Sequence, residues 1–95
     1  MSIKITKWDT AEYLDNDESI GAFLADAMES GDQKIIVHAL NTVARARGMT
    51  QIASDAGIGR QALYKSLGES GNPTLSTLLG VIKSLGLSLS ARPLA

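Results

Sequence analysis

Two apolar stripes at helical spacing, separated by a glycine and an aspartate, constrain this chain more than any other feature. From Glu18 to Ser30 the residues Ile20, Phe23, Leu24, Ala27 and Met28 recur at i, i+3, i+4, i+7 and i+8, which puts them on one face of an α-helix. Gly31 is suited to end that helix and Asp32 to cap the next. The second stripe carries Ile35, Ile36, Ala39, Leu40, Val43 and Ala44 on one side and stops at Gly48. Neither stripe can stay in water, so the two helices need a shared core.

Beyond Gly48 the elements shorten. Thr50 can cap a helix of about two turns holding Ile52, Ala53 and Ala56. Gly57-Ile58-Gly59 reads as a turn, and a second short helix is expected from Arg60 to Leu67. Gly68 to Pro73 is a loop rich in helix breakers. Thr74 then caps a helix whose expected inner face is Leu75, Leu78, Leu79, Ile82 and Leu85, ended by Gly86. Near the N-terminus Asp9 and Glu12 form a capping box, with Trp8 and Tyr13 as its hydrophobic staple. Short strands are predicted at the two ends, where Ile3 and Ile5, and Leu87, Leu89 and Ala91, alternate with polar residues. These two could pair within the chain or across a dimer.

A chain of 95 residues is expected to form one domain. Its aromatic content is low, so Leu, Ile, Val and Ala must fill a thin core that a second subunit would help stabilise. There is no cysteine, hence no disulfide and no thiolate metal site. No apolar run approaches the length of a membrane span, and the first residues lack the apolar core of a signal peptide. A cytoplasmic protein is the expectation.

The net charge of −1 conceals an uneven distribution. Trp8 to Gln33 contains eight acids (Asp9, Glu12, Asp15, Asp17, Glu18, Asp26, Glu29, Asp32) and no Lys or Arg. Lys34 to Ala95 contains seven bases (Lys34, Arg45, Arg47, Arg60, Lys65, Lys83, Arg92) against Asp55 and Glu69. The chain therefore divides into an acidic N-terminal part, residues 1–33, and a basic part, 34–95. Solvated helix faces would look the same in the acidic stretch, but the basic part would attract phosphate.

Two short helices joined by a glycine-containing turn are what a DNA-reading helix-turn-helix requires. Gly57 supplies positive φ for the sharp turn. The small Ala53, four residues earlier, lets the helices approach, and Ile52, Ile58 and Leu63 set the angle between them. The other face of the second helix carries Arg60, Gln61, Tyr64 and Lys65. Gln can pair bidentately with adenine and Arg with guanine, whereas Lys more often neutralises phosphate. An ordinary helical hairpin with solvated Arg60 and Lys65 is the competing reading.

Gly48-Met49-Thr50-Gln51, Ile52 to Lys65, Asn72-Pro73-Thr74-Leu75-Ser76-Thr77-Leu78-Leu79 and Leu85-Gly86 resemble the Xre, or lambda-repressor-like, helix-turn-helix family. The resemblance implies a five-helix all-α DNA-binding domain, here preceded by an extra short N-terminal helix. It implies DNA contacts from Thr50, Gln51, Gly59, Arg60, Gln61, Tyr64 and Lys65. Two features depart from the family. The segment leading into Ile52 is short by about two residues, and Ser66 stands where an apolar residue is usual. Lys7-Trp8-Asp9, Ala11-Glu12-Tyr13-Leu14, Ala44 to Ala53, Leu63-Tyr64-Lys65-Ser66-Leu67 and Gly71-Asn72-Pro73 resemble a narrower group, the prophage-associated, HigA-like addiction-module antidotes, in which both departures are normal. That resemblance implies an antitoxin that represses its own operon as a homodimer on operator DNA and neutralises a small basic RelE/HigB-like toxin. The acidic residues Glu12, Asp15, Glu18, Asp26 and Glu29, with Trp8, are the candidate toxin contacts.

Other chemistry is not expected. His38, the single histidine, has no ligand or catalytic partner nearby in sequence. Asp15, Asp17 and Glu18 lack the spacing of a calcium loop. Gly57-Ile58-Gly59 is followed by neither a dinucleotide fingerprint nor a phosphate-loop Lys. Trp8 and Tyr13 read as a helix staple rather than a stacking platform. No enzyme activity, cofactor or metal is anticipated. The rival readings are a stand-alone prophage-type repressor without a toxin and an interaction module that no longer binds DNA.

Overall fold

The computed structural model describes residues 16–94, and these form five helices with no strand among them. In chain order they are α1 (Asp17–Glu29), α2 (Gln33–Arg47), α3 (Met49–Ala56), α4 (Arg60–Ser66) and α5 (Leu75–Ser84). The fold is all-α, as expected. The predicted strand at Ile3 to Ile5, the capping box at Asp9 and the Trp8–Tyr13 staple lie outside the described residues.

Polar side chains fix where the longer helices begin. The Ser19 amide donates to Asn16 Oδ1 at 2.8 Å, so Asn16 caps α1. Asp32 Oδ1 accepts from the amides of Lys34 and Ile35 at 2.9 and 3.3 Å and starts α2. Thr74 Oγ1 accepts from the Thr77 amide at 3.1 Å and starts α5. Each bond satisfies one of the amides that a helix N-terminus leaves without a partner.

The α2–α3 joint is a single residue. Gly48, at φ +104°, closes α2 by donating to the Ala44 carbonyl at 2.8 Å and opens α3 by accepting from the Ile52 amide at 3.0 Å. That backbone geometry strongly favours glycine. It corrects the expectation at Thr50: α3 starts at Met49, so Thr50 lies inside its first turn and no side chain caps the helix.

One core unites all five elements. Ile20, Leu24 and Ala27 of α1 meet Ala39, Leu40, Val43 and Ala44 of α2, Met49, Ile52 and Ala53 of α3, Leu63 of α4, Leu67, and Val81, Ile82 and Leu85 around α5. Leu67 is buried while Ser66 turns its hydroxyl back to the Ala62 carbonyl, so the apolar anchor has moved one residue along. Gly80 lets α5 approach α3 closely, since a Cβ there would sit 3.2 Å from that of Ala56.

Three packing expectations are corrected. In α5, Leu75 and Leu79 are 67% and 42% exposed, and Val81 is fully buried instead. That helix is apolar over most of its circumference, so periodicity leaves its rotation open until α3 claims one side. In α2, Ile35 is 49% exposed and Val37 is buried, on the side of the helix that faces Leu67, Gly68 and Glu69 after α4. Leu87 to Ala91 form no strand. Leu87 packs against the core, and the residues after it run over α1.

Candidate nucleic-acid interface

The α3–turn–α4 unit is built by three local devices. Gly57 takes φ +70°, and the Ile58 amide donates to the Ala53 carbonyl at 2.9 Å, the arrangement of a helix closed by a left-handed residue. Ile58 then tucks against the core. Leu63 is completely buried and anchors α4 from beneath. With that side held, Arg60, Gln61, Tyr64 and Lys65 project outward and together line a shallow cleft.

Two of these side chains are ordered against each other. The Arg60 guanidinium carbon lies 5.4 Å from the Tyr64 ring centroid, within cation–π range. Arg60 Nη2 also donates to Tyr64 Oη at 3.4 Å. Stacking of this kind restricts a long cation to one side of the helix. Gln61 and Lys65 are exposed on the same side. Gly59 holds the N-cap position of α4 in extended backbone, with no side-chain cap.

On α3, Thr50 and Gln51 are exposed as well. Gln51 Nε2 donates to Asp55 Oδ1 at 2.8 Å, so the amide is already engaged one turn along its own helix. The i, i+4 spacing of Gln51–Asp55 and of Arg60–Tyr64 is the signal by which both pairs are legible in sequence.

The acidic helix is less bare than its composition suggests. Glu18 and Asp26 are exposed, but Asp17 is ion-paired with Arg47 at the end of α2. Glu29 is ion-paired with Arg92, whose Nε donates to Oε2 at 3.1 Å. That hydrogen bond, and then the carboxylate's charge, raise the Arg92 guanidinium above its ordinary value. The two pairs join residues 30 and 63 positions apart, and no local pattern announces them. Trp8, Glu12 and Asp15 lie outside the described residues. His38 is exposed, and among the described residues no group of three His, Cys, Asp or Glu side chains is placed to hold a metal ion. No helix among them is long and apolar enough to cross a membrane.

Residues 4–93 match the family described as probable addiction module antidote protein. The chain belongs to this family. A protein of Haemophilus influenzae, described as uncharacterized, is 40% identical over 92 residues, which covers 97% of this chain and 95% of the relative. No solved structure matches the chain. An antidote presupposes a poison, so family membership carries with it an antitoxin role and a toxin partner in general terms.

Proposed function

We propose that this antidote acts as a HigA-like antitoxin of the Xre type, which binds operator DNA through the Thr50–Leu67 unit and neutralises a small basic RelE/HigB-like toxin. The observation that carries the DNA half is the outward set Arg60, Gln61, Tyr64 and Lys65 on a short helix clamped by Leu63. In the major groove such a helix offers Gln61 and Arg60 to base edges and Lys65 to phosphate. A single unit this small binds weakly, so a homodimer on a palindrome, with half-sites about 10 bp apart or a multiple of that, accompanies the reading. Thr50 and Gln51 approach the backbone from α3, where Asp55 must release Gln51 or share it.

The toxin half rests on family membership and charge. Glu18, Asp26 and Glu29 on α1 are the described acidic candidates. The partition into an acidic part, 1–33, and a DNA-reading part, 34–95, is a division of surface roles, because both parts contribute to one core. The test is co-purification with the product of the neighbouring gene, followed by a footprint of the chain on their shared promoter. Protection of a palindrome together with a stable complex supports the reading. A complex without any gel shift at low salt leaves an interaction module, and a shift without a complex leaves a stand-alone repressor.

A further inference from the structure

The segment after α5 crosses α1 with few attachments. The last backbone hydrogen bond described on it runs from the Leu87 amide to the Ile82 carbonyl. Leu87 packs near Gly21, where an added Cβ would meet its Cδ2 at 3.6 Å. The next described polar tie is the Arg92–Glu29 pair, in which both side chains are largely exposed. Between these two points Leu89 is 40% exposed. A groove of about 650 Å³ remains between the segment and one stripe of α1, formed by Gly21, Leu24, Ala25, Met28 and Glu29.

The stripe therefore has a recognisable ligand chemistry, and the chain's own tail displays it. Small and apolar positions accept leucine side chains at one end, and a carboxylate accepts a guanidinium at the other. We propose that this α1 groove is the docking site for a basic, leucine-bearing segment of the toxin, and that residues 87–94 occupy it in cis until such a segment displaces them. The inference rests on the antitoxin reading above. Charge complementarity selects the occupant: the helix carries four acids and no Lys or Arg, Glu29 is the one that lines the groove, and the single cation on the tail, Arg92, is already paired with it. A second copy's tail would bring the groove no more than the one cation already there in cis, whereas a basic partner meets the rest of the helix's opposite charge. Displacement is inexpensive because an exposed ion pair contributes little against water.

The experiment titrates the full chain with the purified product of the neighbouring gene by calorimetry. Arg92→Ala removes the competing cation and should tighten binding about two- to fivefold, the range expected for one exposed ion pair. Glu29→Gln is then read in the Arg92→Ala background, where no clasp remains to be broken, and should weaken binding by a similar factor. Unchanged melting midpoints in both variants show that the changes arise at the surface. If Arg92→Ala leaves affinity unchanged or lowers it, or if Glu29→Gln has no effect in that background, the toxin docks elsewhere and the inference falls while the antitoxin reading stands. If the wild-type chain binds no neighbouring product at all, the antitoxin reading falls, and this inference with it.

Discussion

Leu63 and Gln61 sit two residues apart and answer to different physics. Leu63 is completely buried in the core, so Leu63→Ala loses transfer energy and leaves a cavity, at a cost of about 2–5 kcal/mol. Urea unfolding should show this as a lower midpoint with operator affinity falling in step, because α4 loses its anchor. Gln61 is exposed and lines the outward cleft with Arg60, Tyr64 and Lys65. Gln61→Ala should leave the unfolding midpoint in place while costing about 1–3 kcal/mol of specific DNA binding and sparing non-specific affinity. Unaltered operator preference in a competition gel shift would remove Gln61 from the base-reading set. Lys65→Ala should weaken binding to all sequences and reduce the salt slope by about one, read from affinity against salt concentration.

The helices depend on their ends. α5 begins with the Thr74 hydroxyl accepting from the Thr77 amide, and Thr74→Ala should cost about 1 kcal/mol, measured by thermal or chemical unfolding. The turn between α3 and α4 depends on backbone sign. Gly57 lies at φ +70° with open space around its Cα, so Gly57→Ala meets no neighbour but strains its own backbone by about 1–2 kcal/mol. Binding should weaken beyond that loss of stability if the angle between α3 and α4 changes; an unchanged DNA affinity would show that the turn tolerates the strain. Caps at Asp32 and Thr74 and the turn at Gly57 were readable because they act over three or four residues. Thr50 is not the cap that its residue type suggests, since the single-residue joint at Gly48 starts α3 two positions earlier.

At the scale of the whole molecule, the acidic helix is part of the core as well as a surface. Ile20 and Leu24 are buried against the elements that position α4, so a chain beginning at Asp32 would expose those neighbours and should aggregate or melt at lower temperature. Toxin contacts are therefore better tested by surface changes such as Glu18→Gln and Asp26→Asn than by truncation. The Asp17–Arg47 pair ties α1 to the end of α2 just before Gly48. Both groups are partly exposed, so Asp17→Asn should cost less than about 1 kcal/mol.

Helix number, order and approximate limits follow from local rules: apolar spacing near 3.6, side-chain caps, and glycines with positive φ. The outward set on α4 belongs with them, because once Leu63 is taken as the anchor the positions of Arg60, Gln61, Tyr64 and Lys65 follow from helical geometry. Rotation of an evenly apolar helix does not follow, and Leu75 and Leu79 of α5 faced outward only once α3 had packed beside Gly80. The path of residues 87–94 also escapes local rules. Their alternation promises a strand, but a strand needs an edge to pair with, and none exists among the described residues. Arg92 meets Glu29 across most of the chain, a neighbourhood that depends on how α1 and α5 pack and on nothing within reach of either residue in sequence.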